Sequence, residues 1–277
     1  MGRVAGKVAF ITGAARGQGR SHALRLAEEG ADIIALDILE DVETVPYESA
    51  SAEDLDETVA LVEKTGRRIV ARKVDVRDQA AVSEAVRQGV AELGRLDVVV
   101  ANAGIFGTPA KIWEMTDELW QTTIDVNLTG VFHTVKATVP YLLEQAEGGS
   151  IIITSSAAGL KGVPNYGSYS ASKHGVLGLA RSLAMELAEH NIRVNTVHPG
   201  NVDTKMIIND TTFKVFVPDK EHPTKDDVRE SFMSTLMMPI PWLDATDISN
   251  AVLWLASDES RYVTGVALPV DAGMTAK

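Results

Sequence analysis

The chain has 277 residues, 45% of them hydrophobic, a formal net charge of -12 and no cysteine. That balance argues against a nucleic-acid partner, which is held mainly through its phosphates on basic surface, and the lack of cysteine removes disulfides, thiolate nucleophiles and zinc–sulfur centres together. With no long apolar run, and with Met1-Gly2-Arg3-Val4-Ala5-Gly6 leading into a strand without a signal or acylation pattern, a cytoplasmic protein with no membrane partner is expected.

No linker-like stretch divides the sequence, so residues 1–277 are read as a single α/β domain. Lys7-Val8-Ala9-Phe10-Ile11 is a short apolar strand, and Thr12-Gly13-Ala14-Ala15-Arg16-Gly17-Gln18-Gly19 is a glycine turn into a helix over Ser21–Glu29. Glycines there let backbone approach a pyrophosphate, and the helix start offers it unpaired N–H groups; a plain strand-to-helix turn is the simpler alternative. Asp32–Asp37 is a second strand ending on a carboxylate that can hold adenosine ribose hydroxyls and repel a 2'-phosphate, which selects NAD. Arg16 is the counter-signal, a cation able to serve NADP. Residues 38–57 carry eight acids and no Lys or Arg. This is far longer than the usual strand-to-helix connection of about two to six residues, and reads either as a solvated acidic loop or as a flap over the adenosine end of the cofactor that slows its release.

Arg68–Val74 is a third strand, followed by Asp75 and Val76 and by a helix over Asp78–Leu93. Asp75 is placed either to meet the adenine edge or to cap that helix. Leu96–Ala101 is a fourth, buried strand, and Asn102-Ala103-Gly104 after it is small enough for a nucleotide to pack on backbone. A helix is expected over Thr116–Leu143, with Asp117 and Glu118 in its first turn. Within it Asn127, flanked by Val126, Leu128 and Val131, needs partners for a buried amide: it either satisfies a kinked backbone and orders water near Lys173, or caps a local bend.

Ser150–Thr154 is a fifth strand that delivers Ser155 and Ser156 at its carboxyl end, where open parallel sheets bind ligands. Ser168-Tyr169-Ser170-Ala171-Ser172-Lys173 then opens a helix over Tyr169–Glu189, and the spacing of four puts a phenol and an ammonium on one face. Lowering a phenol pKa from about 10 to about 7 takes roughly 4 kcal/mol, which a partly desolvated cation and a bound cofactor's charge can supply, so the pair works as a general acid or base with Ser156 beside it. The helix is apolar on more than one face, which suggests burial by the sheet and by another subunit.

Ile192–Val197 is a sixth strand, followed by Pro199-Gly200-Asn201-Val202-Asp203-Thr204. Residues 205–242 hold half of the 8 methionines and read as a mobile lid over a greasy substrate, or as a helical excursion packed as satellite core. A helix over Ala245–Ser257 and a strand over Val266–Val270 close the chain. His22, His133, His174, His190, His198 and His222 show no metal-ligand spacing, so no metal site is expected.

In order and spacing, the glycine turn, Asn102-Ala103-Gly104, Asn127, Ser156, Tyr169, Lys173 and Pro199-Gly200 resemble the short-chain dehydrogenase/reductase family over essentially the full chain. The resemblance implies a Rossmann-type doubly wound parallel sheet of seven strands in the order 3-2-1-4-5-6-7, with helices on both faces, a nicotinamide cofactor and a homotetramer. It implies a catalytic tetrad in which Tyr169 transfers the proton, Ser156 positions the substrate oxygen, Lys173 binds the nicotinamide ribose and polarises Tyr169, and Asn127 completes a water relay. It also places Val202 and Thr204 on the carboxamide, with Gly13, Arg16, Gly17, Gln18, Gly19, Asp37, Asp75, Val76, Asn102, Ala103, Gly104, Pro199 and Gly200 as the remaining cofactor contacts. Within the family, Gly13 to His22, the insert after Asp37 and the Met-rich segment look like the carveol dehydrogenase, or mycofactocin-coupled, group. That narrower resemblance implies NAD retained between turnovers, an external redox carrier, and a hydrophobic, cyclic secondary alcohol or its ketone as substrate. Alternatives left open are a reductase of 3-oxoacyl or steroid ketones, a non-catalytic dinucleotide sensor and, more weakly, a sugar-nucleotide epimerase or dehydratase, for which the C-terminal stretch is expected to be too short.

Overall fold

The computed structural model describes residues 2–277. In chain order its elements are β1 (Val8–Thr12), α1 (Gly17–Glu28), β2 (Asp32–Asp37), α2 (Ala52–Lys64), β3 (Ile69–Lys73), α3 (Gln79–Leu93), β4 (Val98–Ala101), α4 (Asp117–Ile124) and α5 (Gly130–Gln145). The second half adds β5 (Gly149–Thr154), α6 (Gly167–Leu187), β6 (Ile192–Pro199), α7 (Asp210–Phe216), α8 (Lys225–Ser234), α9 (Ala245–Ala256) and β7 (Ala267–Val270). The strands form one parallel sheet in the order β3-β2-β1-β4-β5-β6-β7.

The apolar runs account for this arrangement. Successive side chains of β1 enter opposite faces: Ala9 and Ile11 join a core with Leu26 of α1, Val62 of α2 and Val252 of α9. Val8 and Phe10 join the other core, with Val86 of α3, Val135 of α5 and Val176 and Ala180 of α6. A strand covered on both faces must be apolar throughout, and all five residues of β1 are buried. The order reverses between β1 and β4, so the carboxyl ends of those two strands frame a crevice.

Several expectations are corrected here. The helix expected over 116–143 runs without a gap from Asp117 to Gln145 but carries a π-turn at Asp125–Thr129, in which the Gly130 N–H reaches back to Asp125 O; α4 and α5 are the stretches on either side of it. Asn127 sits in that turn, fully buried. The insert is shorter than 38–57, because α2 starts at Ala52, where Ser51 and Asp54 cap one another reciprocally. Asp75 does not cap α3; Asp78 does, accepting from the N–H groups of Ala80 and Ala81. The 205–242 segment contains α7 and α8, which close on a small cluster of Phe213, Val228 and Phe232 flanked by Ile207, Phe216 and Trp242. Two of its four methionines, Met237 and Met238, are exposed. Most of the apolar breadth of α6 is satisfied within the chain, although Met185 is 84% exposed.

Candidate active site

The crevice is built first by backbone. Thr12 Oγ1 accepts from the N–H groups of Asn102 and Ala103 at 3.1 and 3.0 Å, and Asn102 Nδ2 donates to Thr12 O and Gly13 O at 3.1 and 3.2 Å. These bonds clamp the ends of β1 and β4 together, so the Asn102 amide is engaged with the glycine turn. A Cβ on Gly13, whose φ is +68°, would stand 2.9 Å from Ala103 Cα, and one on Gly19 would stand 1.9 Å from Gly13 O. Only glycine permits that approach. The first turn of α1 carries no capping side chain and no acid, which leaves its N–H groups available to an anion. Beside them Gln18 Oε1 is buried without a partner.

Asp37 closes the end of β2, its two oxygens accepting from the N–H groups of Ala15 and Ile38 at 2.9 and 2.8 Å. Burial raises its pKa, against these bonds and the nearby Arg16 charge. Arg16 is directed away from the crevice floor: it donates to Ser49 O at 3.0 Å and to Glu48 O, both in the segment between β2 and α2. Asp75 is held by the Arg77 side chain at 2.7 Å and lines the same cleft, whereas Val76 packs with Val42, Ile105 and Val126. The 38–51 segment reaches further than the adenosine end. Tyr47 Oη accepts from the Phe106 N–H at 3.1 Å, and Thr44 O accepts from the N–H of Thr108 at 3.3 Å, so its far side rests on the loop between β4 and α4.

The proposed acid–base groups converge on the opposite wall. Lys173, on α6, donates from Nζ to Thr154 O at 2.9 Å, and its ammonium lies 5.5 Å from the Tyr169 ring centroid. Ser156 Oγ accepts from the Ala158 N–H at 3.1 Å, which leaves its own proton for Tyr169 or a substrate oxygen. Around Ser156, one bond fixes its own carbonyl and another fixes its neighbour Ser155 against α6. His198 binds the Ser156 carbonyl through Nδ1 at 2.8 Å, and Ser155 Oγ donates to Lys173 O at 2.9 Å. Asn127 is not on Lys173 directly: its amide pairs reciprocally with the backbone of Ile105 at 2.8 and 2.9 Å. A Cβ on Gly104 would nonetheless meet Asn127 Oδ1 at 3.2 Å and Lys173 Nζ at 3.4 Å, so the two polar ends flank the same glycine.

In the protein alone the phenol shift runs opposite to the expected lowering. Burial pushes Tyr169 up to about 12, with the Ser156 hydroxyl acting the other way, and burial pulls Lys173 down to about 8. Enclosing both groups opposes both charged forms, and the Lys173 ammonium is aimed at a carbonyl. The cleft measures about 890 Å³, inside the roughly 300–1,000 Å³ usual for ligand sites. All the expected contact residues from Gly13 to Thr204 line it or, like Asn127, stand directly behind it. Its glycine floor, free helix N–H groups and strand-end carboxylate fit a dinucleotide. Among the described residues no cluster of side chains could hold a metal ion, and no helix is long and apolar enough to cross a membrane.

A profile of the family described as short chain dehydrogenase matches residues 7–214. The chain belongs to the short-chain dehydrogenase family. This short-chain dehydrogenase is 52% identical, over 100% of both chains, to (-)-trans-carveol dehydrogenase from Rhodococcus erythropolis. It is 40% identical to trans-4-hydroxycyclohexanecarboxylate dehydrogenase from Sinomonas cyclohexanicum, over 99% of this chain and 95% of that one. Among solved structures, carveol dehydrogenase from Mycobacterium avium in complex with NAD superposes with a TM-score of 0.99 at 58% identity, covering 100% of each chain.

Tyr47, Phe106 and Tyr166 were missed as site residues, and all three line the cleft beside Tyr169. The sequence offers little to find them by, because three lone aromatics in separate connections share no spacing. Of the methionines, Met206 and the C-terminal Met274 reach the cleft, the latter held through its carbonyl by Lys161 Nζ at 2.6 Å.

Proposed function

We propose that this short-chain dehydrogenase interconverts a hydrophobic, cyclic secondary alcohol of the carveol type and its ketone, with NAD as cofactor. The observation that carries the reading is the placing of Tyr169, Ser156 and Lys173 against an apolar pocket walled by Phe106, Tyr166, Ile207 and Phe216. Gly13, Gly17, Gln18 and Gly19 hold the pyrophosphate, Asp37 the adenosine ribose, and Lys173 the nicotinamide ribose; the bound nicotinamide supplies the hydride acceptor or donor. NAD is favoured over NADP because Asp37 stands where a 2'-phosphate would go and Arg16 is already engaged by Glu48 and Ser49.

Ser156 donates its free proton to the substrate oxygen and orients it toward Tyr169. Tyr169 takes the hydroxyl proton in oxidation and returns it in reduction, while Lys173 stabilises the phenolate. Asn127 acts as a positioning residue, holding Ile105 and hence the loop that carries Gly104 and Phe106. The 38–51 strap, tied at Glu48 and Ser49 to Arg16 and at Tyr47 to Phe106, retains NAD between turnovers, so electrons leave through an external redox carrier that visits the same pocket. The segment 205–242 is the substrate lid. The protein works in the cytoplasm as a homotetramer, with Phe132 on α5 and Met185 on α6, 47% and 84% exposed, as candidates for burial by a second copy.

Stopped-flow absorbance at the reduced-nicotinamide band, with carveol and other cyclic alcohols mixed against the NAD-loaded protein, tests the chemistry. A burst of reduced cofactor is expected. Binding without any hydride transfer across a broad alcohol and ketone panel would leave a dinucleotide sensor instead.

A further inference from the structure

Phe106 stands between the two tyrosines that wall the acid–base centre. Its ring lies face to face with Tyr166, centroids 4.0 Å apart at 19°, and meets Tyr169 edge-on at 4.8 Å and 87°. Such pairs are worth about 0.5–1.5 kcal/mol beyond the area they bury, and their energy depends on ring geometry. The Tyr169 oxygen is hydrogen-bonded by the Ser156 side chain, and the Tyr169 ring packs on Phe106.

What holds Phe106 is therefore felt at Tyr169. The loop after β4 is unpaired at Phe106, so that backbone N–H must find its acceptor outside the sheet. It finds Tyr47 Oη at 3.1 Å, delivered from the middle of the strap. Thr108, two residues on, ties the same loop to the same strap by donating to Thr44 O through both N and Oγ1 at 3.3 Å. Burial pushes Tyr47 up to about 12 and charge on Tyr169 disfavours its ionisation further, so Tyr47 is a neutral hydroxyl at ordinary pH, and a phenol oxygen accepts whether or not it keeps its proton. Its oxygen accepts from Phe106 in every protonation state that turnover visits.

We infer that Tyr47 is a positioning residue for the reaction: by fixing the Phe106 backbone it sets the ring wall against Tyr169 and the shape of the alcohol pocket, so the segment that covers the cofactor also sets substrate selectivity. The kinetic half of this rests on the alcohol dehydrogenase reading above; the structural half, that Tyr47 fixes Phe106, does not.

Tyr47→Phe keeps the ring and removes only the acceptor. Two measurements on the full-length, NAD-loaded protein test it: amide hydrogen exchange at Phe106, and kcat and KM for carveol against the slim acyclic 2-butanol. One lost hydrogen bond worth about 1.4 kcal/mol corresponds to about tenfold, so the Phe106 amide should exchange about tenfold faster and the preference for carveol over 2-butanol in kcat/KM should fall by a similar factor. Phe106→Leu should lower the preference in the same way. The double variant should lose no more than the larger single loss, because both changes remove one contact chain. Unchanged exchange at Phe106, unchanged selectivity, or losses that multiply would each overturn the inference. If the unaltered protein oxidised neither alcohol, the proposed function would fall, and Phe106 exchange alone would still decide the role of Tyr47.

Discussion

Arg16→Ala removes the tie that pins the strap at the adenosine end. In the structure the guanidinium donates to Ser49 O at 3.0 Å and to Glu48 O. Hydrogen bonds from a charged donor contribute about 1.5–3 kcal/mol each; since Glu48 is exposed and water can replace it, the lower figure applies, giving roughly 3 kcal/mol for the pair. Applied wholly to opening the strap, that is about a hundredfold in the rate of NAD release, at about 1.4 kcal/mol per tenfold. Thr44 and Tyr47 still anchor the far side, so about ten- to a hundredfold is expected. The assay is dialysis of the purified protein, then denaturation and quantification of the nucleotide released, with a chase by labelled NAD giving the rate. Arg16→Gln, which keeps one donor and loses the charge, should fall between. NAD retention in Arg16→Ala equal to that of the unaltered protein would refute the clamp, and free exchange within seconds in the unaltered protein would refute retention itself.

Other outcomes follow from the same geometry. Tyr169→Phe should lower alcohol oxidation by about 10²–10⁴-fold while NAD binding changes little, read by steady-state kinetics and a binding titration; near-normal turnover would remove Tyr169 from the proton path. Gly104→Ala puts a Cβ tightly against Asn127 Oδ1 at 3.2 Å and in ordinary contact with Lys173 Nζ at 3.4 Å and Asn102 O at 3.9 Å, so the protein should still fold, with at most a few degrees lost in Tm, but lose at least about tenfold in kcat as the Asn127 amide is pushed off its place. Burial holds Lys173 at about 8 against an ordinary 10.5. Between those pH values the unfolded chain binds the proton and the folded one does not, so stability rises with pH across about 8–10.5, by at most roughly 3 kcal/mol. Denaturant midpoints at about pH 7.5 and 9.5 should show that rise in the unaltered protein and not in Lys173→Met; parallel behaviour of the two would contradict it.

Much of the frame could be read from the chain because its determinants are local. Asp32–Asp37 is a strand over the expected residues, since a continuous apolar run ending on a carboxylate has few other uses. The π-turn at Asn127 was not legible because apolar spacing does not register one extra residue in a turn, and the partner of the Asn127 amide, Ile105, lies 22 positions away. The start of α2 was legible in principle, since Ser51-x-x-Asp54 ahead of Leu55 is a capping pattern, but it was masked by the acidic run around it. The aromatic wall was not legible, because Tyr47, Phe106 and Tyr166 meet only after three connections fold over one crevice. The segment 205–242 forms the satellite core that one of its two readings expected, with Phe232 packed in that cluster and also bordering the cleft.

Lys173 takes its bearing from Thr154, the last residue of β5, which is registered against Val197 in the sheet. The ammonium is thereby referenced to the central sheet, while Tyr47, Phe106 and Tyr166, which line the cleft beside it, belong to connections outside the sheet. Such a division of labour allows those connections to be exchanged wholesale for others of different girth, and the proton-handling apparatus to remain undisturbed by the replacement.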